Sequence, residues 1–207
     1  MKNKFYLILV PLIFILSACE DKQQNNEKFT SDTQLTKIVI EETSFSSKAT
    51  AKEYHYEFKN LKGQLSILDI KNDIYNFKNI KQSIVIVNIM STWCPPCRGQ
   101  IPHLSKLQQT FKENLFIMST LVHDDIEKEK LEKFIIAQKV LYYVSVSQSE
   151  NLKFVDMLTP KLGLNKDFPM PLTVVFVRGK YFTHYEGMIP EEMIESDIKQ
   201  LLEKIKK

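Results

Sequence analysis

Residues 83–99 read SIVIVNIMSTWCPPCRG, an apolar run that ends in a tryptophan and two cysteines separated by two prolines. A near-continuous Ile/Val run, rather than an alternating one, predicts a central strand buried on both faces, as in parallel sheets. The residues that follow predict a helix over 95–112, with Ile101, Leu104, Leu107 and Phe111 at helical spacing and a kink at Pro102. A strand that ends in Trp-Cys-x-x-Cys and opens a helix is far more specific than a bare Cys-x-x-Cys. It sets Cys94 at a helix N-terminus, where unpaired N–H groups and the helix dipole favour a thiolate. On this reading Cys94 is the exposed nucleophile. Cys97, one turn inside, is the resolving thiol that breaks a mixed disulfide.

Working outward, YHYEF, QLSILDI and IYNF upstream are β-type runs, as is KIVIEET further up, and Asn72-Asp73 reads as a hairpin turn. Downstream, NLFIMSTLV predicts a strand and 125–139 a charged helix. LYYVSV predicts a short strand, and 150–162 a helix stopped by Gly163. The stretch PLTVVFVRGKYFTHYEG predicts two strands about a turn at Gly179. An amphipathic helix from Pro190 closes the chain, with acids leading and lysines at its end, matching the helix dipole. The order is βαβ then ββα, with extra strands in front. This is an α/β domain built on a central mixed sheet flanked by helices, with an N-terminal β extension.

The chain has 207 residues, 43% apolar, enough for one sizeable core. It opens MKNKFYLILVPLIFILSACE: Lys2 and Lys4 precede an apolar run too short to span a bilayer, ending in Leu-Ser-Ala-Cys. That pattern resembles the lipobox of bacterial lipoproteins. It predicts a signal peptide over 1–18 and lipidation of Cys19, which holds the protein to a membrane on the periplasmic side of the cell envelope. An ordinary secretory signal cut near Ala18 is the alternative, and either way the domain is exported. Residues 19–34 are polar and predict a lipidated, flexible tether reaching roughly 50 Å when extended. The domain then occupies 35–207, with the extension over 35–66 and the core over 67–207. Without Lys2 and Lys4 the 28 basic residues become 26 against 25 acidic ones. So balanced a charge excludes a nucleic-acid footprint.

With Cys19 assigned to lipid, Cys94 and Cys97 are the remaining cysteines of the three. No disulfide framework can be built from one pair. Structural zinc wants four ligands, and no second cysteine pair exists; His103 stands alone after Pro102, so no metal and no cofactor are expected. The pair is then a redox dithiol or an inert clip. Trp93 is expected to be exposed for partner contact. His55, His123 and His184 fall near strand or loop ends and read as solvated.

Four stretches resemble the thioredoxin superfamily, and more closely its exported, membrane-anchored thiol–disulfide branch (TlpA/ResA/CcmG-like). They are VNIMSTWCPPCRGQIPHL, ILDIKNDIYNFKNIKQS, KLGLNKDFPMPLTVVFVRGK and YEGMIPEEMIESDIKQLL, together covering roughly Ile67 to Lys206. The resemblance implies a thioredoxin-like fold and a thiol:disulfide oxidoreductase. It implies that Pro171 is a cis-proline facing the dithiol, with the Met170 backbone pairing with a substrate segment as an added strand. Pro95 and Pro96 fall within the same substrate-contacting turn. Two departures mark possible modulators. Asn88 stands where cytosolic thioredoxins carry a buried Asp, and Gln100 where the exported branch commonly carries a Glu. Gln100 cannot take up a proton, which removes any carboxylate-assisted deprotonation of Cys97. The turn at Arg178-Gly179 also departs from the branch and is assigned no role.

Dithiols of this fold span about −270 to about −120 mV, roughly 7 kcal/mol for a two-electron couple. With proline at 95 and 96, neither intervening residue offers an N–H, which leaves the Cys97 N–H as the principal first-turn donor to a Cys94 thiolate. Losing a charge-assisted hydrogen bond raises a thiol pKa by about one to two units. The expectation is a moderately reducing protein that reduces disulfides of exported proteins or apocytochrome c, with electrons from a DsbD-like membrane reductase. An oxidase or isomerase would use the same residues. A non-catalytic binding or chaperone module, with an incidental dithiol, would leave Cys94 unreactive.

Overall fold

The computed structural model describes residues 52–206 of the chain. The signal segment 1–18, Cys19, the tether 19–34 and the expected strand at KIVIEET all lie outside the described residues. Period-two alternation builds the first three strands, β1 (Glu53–Lys59), β2 (Leu65–Lys71) and β3 (Ile74–Phe77), into one antiparallel sheet in the order β1-β2-β3. Asn72 and Asp73 turn β2 into β3 with φ of 50° and 59°, the paired positive values of a type I′ hairpin. One face of this sheet presents Tyr56, Phe58, Leu68, Ile70, Tyr75 and Phe77 to the core. The division drawn at 66–67 falls inside β2.

The second sheet has five strands in the order β6-β5-β4-β7-β8: β4 (Ile84–Met90), β5 (Leu115–Leu121), β6 (Tyr143–Ser145), β7 (Leu172–Val177) and β8 (Lys180–Glu186). β4 is parallel to β5 and antiparallel to β7, and all seven of its residues are buried. Its side chains divide by parity. Val85, Val87 and Ile89 join the core beneath the three-stranded sheet and α3 (Gln148–Lys161). Ile84 and Ile86 join the core beneath α1 (Pro95–Thr110) and α4 (Glu191–Lys206). A continuous apolar strand is therefore read correctly as one covered on both faces. Two edge-to-face contacts, Tyr56 and Phe58 on Phe154, dock β1 on α3, and Tyr75 and Phe77 pack on Phe176 of β7.

The expected helix at 125–139 is shorter, α2 (Lys128–Ala137). Glu127 is extended at φ −63° and ψ 148°, and Lys139 at φ 51° cannot continue a right-handed helix. Among the described residues no helix is long and apolar enough to cross a membrane. The result is the thioredoxin-like arrangement expected from the sequence, a mixed sheet between helices. Its dithiol stands where the central strand gives way to α1.

Candidate active site

Cys94 and Cys97 are joined in a disulfide with their Cα atoms 5.2 Å apart. Cys94 caps α1 with extended dihedrals, φ −80° and ψ 115°, and Pro95 and Pro96 fill the first two helical positions. Proline suits these positions because its missing N–H would have had no partner within the helix. The Cys97 N–H donates to Cys94 Sγ at 3.2 Å, the first-turn donor anticipated from the two prolines. The expected exposure of Cys94 needs correction. It is only 5% exposed and Cys97 is 0% exposed. The pair packs among Met90, Ile101, Leu121, Leu131 and Val144, and Cys94 Sγ lies 3.9 Å from the Met170 carbonyl oxygen. Pro95 and Pro96 face solvent beside it, and Trp93 is 58% exposed.

The opposing wall is the turn before β7. The Met170–Pro171 peptide bond is cis. The Pro171 carbonyl accepts the Gly187 N–H at 2.8 Å, which brings the loop after β8 alongside. Met188 of that loop lies against α1: a Cβ on Gly99 would come within 2.6 Å of Met188 Sδ. A helix-interior glycine costs about 1 kcal/mol relative to alanine, and here its bare Cα leaves room for a thioether beside the dithiol turn.

The two modulator positions separate. Asn88 lies at the centre of the sheet, fully buried, donating from Nδ2 to Ser119 Oγ at 3.0 Å and accepting from Thr173 Oγ1 at 3.2 Å. It joins three strands through side chains in register. Gln100, on α1, is also fully buried. Its Oε1 accepts the Ile189 N–H at 2.9 Å, and its Nε2 has no hydrogen-bond partner. Among the described residues no cluster of three or more His, Cys, Asp or Glu side chains could hold a metal ion. His103 sits half-buried on α1, and His123 is exposed in the loop after β5 with φ 51°.

Sequence reasoning missed that loop. Ser91 Oγ donates to the Val122 carbonyl, and the Trp93 indole N–H donates to the His123 carbonyl at 2.8 Å. Asp124, 3% exposed, accepts the Thr92 N–H on one carboxylate oxygen and the Thr92 hydroxyl on the other, the latter at 3.0 Å. The only sequence signal was a pair of acids, His-Asp-Asp, at the end of a buried strand. Nothing local pairs them with residues some thirty positions earlier.

The arrangement can carry two-electron exchange at sulfur: a helix-capping sulfur, a second sulfur beneath it, one aligned N–H and a backbone carbonyl opposite. The model of the AhpC/TSA family matches residues 58–178, more than half of the chain. The thioredoxin-like protein YneN of Bacillus subtilis (strain 168) is 31% identical over 84 residues, which is 41% of this chain. The match spans 42% of that relative, about two fifths of its length. A crystal structure of a thiol:disulfide interchange protein of the thioredoxin family, from Chlorobium tepidum TLS, superposes with TM-score 0.56 at 18% identity, covering 72% of this chain and 93% of that one. The solution structure of a thiol:disulfide interchange protein from a Bacteroides species superposes with TM-score 0.51 at 17% identity, covering 72% and 86%. These two likenesses are likenesses of fold.

Proposed function

Since the chain belongs to the AhpC/TSA family and caps a helix with a Cys94–Cys97 disulfide, we propose that it is a thiol:disulfide oxidoreductase acting on exported proteins. In its reduced form the Cys94 thiolate attacks a client disulfide. A bond forms from Cys94 to one client sulfur, the client S–S bond breaks, and the departing client sulfur takes a proton. The Cys97 thiolate then attacks Cys94 Sγ, forming the intramolecular disulfide and releasing the second client sulfur as a thiol. Two electrons and two protons leave the dithiol, and the client disulfide becomes two thiols. Trp93, Pro95 and Pro96 border the client, and the Met170 backbone, next to Cys94 Sγ, pairs with the client segment as a short added strand.

The observation that carries the direction is the single first-turn donor at 3.2 Å from Cys94 Sγ. A thiolate held by one N–H is a poorer leaving group than one held by several, so the disulfide is harder to reduce and the dithiol a better reductant. In this reading Cys19 anchors the chain to a membrane in the cell envelope. Electrons come from a DsbD-like membrane reductase, and clients include exported proteins with wrong disulfides or apocytochrome c. Equilibration of the purified protein with glutathione and dithiothreitol tests the proposal. A potential nearer −270 than −120 mV is expected. A value at the oxidising end would reverse the direction, and a pair that never equilibrates would end the redox reading.

A further inference from the structure

We propose that Asp124 is a positioning residue for disulfide exchange, acting through Thr92 to fix the Trp93–Cys94 step that meets the client. The inference rests on the thiol:disulfide reading given above. Asp124 is 3% exposed and belongs to no helix or strand. A carboxylate buried at that depth is retained only where its oxygens are occupied, and here both accept from one residue. The Thr92 N–H reaches one oxygen and the Thr92 hydroxyl the other, at 3.0 Å. The neighbouring bonds join the same two segments. Ser91 Oγ donates to the Val122 carbonyl, the Val122 N–H to the Met90 carbonyl at 3.0 Å, and the Trp93 indole to the His123 carbonyl at 2.8 Å. The loop after β5 thus holds each of residues 90–93 just before the nucleophile. Asp124 is itself held, because its carbonyl accepts from the Gln148 side chain at the start of α3.

The consequence is specific to large substrates. Trp93 is 58% exposed although its indole N–H is tied to the His123 carbonyl, so the ring is fixed and presented rather than packed away. A loosened Thr92 frees the ring and the peptide unit leading into Cys94. A client that must lie along Trp93 and Met170 then loses its oriented approach, whereas a small disulfide needs only the sulfur.

The test uses the full chain, reduced beforehand, with insulin as the protein disulfide and 5,5′-dithiobis(2-nitrobenzoate) as the small one. Trp93 is the single tryptophan of the chain, so its emission reports this step directly. Asp124→Ala is expected to slow single-turnover insulin reduction about tenfold, leave the small-disulfide rate within about twofold, and red-shift the Trp93 emission. Asp124→Asn is expected to recover most of the insulin rate. Its Oδ1 can still accept the Thr92 N–H and its Nδ2 can donate to Thr92 Oγ1. Thr92→Val, which leaves the carboxylate in place, is expected to fall between them and supplies the same readouts if the alanine variant does not fold. The proposal is overturned if both disulfides slow in equal proportion, if Asn is no better than Ala, or if Trp93 emission does not move. A wild-type chain inert to both probes overturns the redox reading instead.

Discussion

Gln100 stands where the resemblance places a glutamate, and its amide cannot take up a proton. Its Oε1 already holds the Ile189 N–H, a bond that a glutamate oxygen can also accept, so Gln100→Glu should fold. The new carboxyl would be fully buried like the amide it replaces, and burial raises a carboxyl's pKa. With glutamine, the reduction potential should fall linearly by about 59 mV per pH unit between pH 5.5 and 7.5, two protons following two electrons. Gln100→Glu should bend that line within the window, and potentials measured across it check the outcome; two superimposable lines would show that position 100 does not communicate with the pair. Asn88, the other position marked from the sequence, has both ends of its amide engaged by Ser119 and Thr173 and serves the sheet. Residue identity foretold that neither could titrate; only the structure separates their roles. A second residue-scale test lies on the outer face of the first sheet, where His55 Nδ1 meets Asp69 at 2.6 Å. The Asp69 hydrogen bond raises His55 above its ordinary 6.5, and the His55 bond lowers Asp69. The His55 contribution is therefore complete below pH 6.5 and disappears as pH rises through the elevated folded value. Asp69→Asn should bring the His55 titration midpoint, followed by NMR, back down toward 6.5.

Among the elements, the join between the two sheets is the feature least legible in the sequence. The strand runs, the Asn72-Asp73 turn and the helix after Cys94 were all readable because each is set by local periodicity or backbone preference. Registry between the upstream strands and the core was not, because it depends on contacts a hundred residues apart. Gly179 makes one of them. The turn between β7 and β8 is formed at Arg178-Gly179. In the structure the Gly179 carbonyl accepts the Tyr75 N–H at 2.7 Å, and a Cβ there would meet the Tyr75 carbonyl at 2.8 Å. Its φ of +75° adds the left-handed cost that a side chain would incur. Gly63 offers a matched control, at φ +76° with open space around the missing Cβ. Gly63→Ala should then cost about 1 kcal/mol, and Gly179→Ala about 2–4 kcal/mol through the added backbone clash. Urea unfolding of the two variants compares them directly. Equal losses would mean that the β3 approach to the turn adds nothing to stability.

For the whole molecule, redox state and stability are two sides of one cycle. If the folded site is more reducing than the same dithiol in the unfolded chain, closing the disulfide must stabilise the fold, by about 1.4 kcal/mol for every 30 mV. The two cysteines are three positions apart. Loop closure by so short a link constrains the unfolded chain by only about 2 kcal/mol, so any stabilisation beyond that must come from how the fold treats the reduced pair. In the disulfide form Cys94 is 5% exposed and Cys97 0% exposed among apolar neighbours, with one N–H aligned on Cys94 Sγ. That environment disfavours the charged reduced form and favours the disulfide. Oxidants of this fold are arranged the other way, with a reduced form stabilised enough that oxidation weakens the protein. The oxidised chain is therefore expected to melt higher than the reduced one, by about 2–4 °C for each kcal/mol of difference at this length. Paired thermal unfolding, with dithiothreitol present in one arm only, reads the sign without any client or electron donor. A reduced protein that melts above its oxidised form would place the dithiol among the oxidants, whatever the two prolines withhold from Cys94.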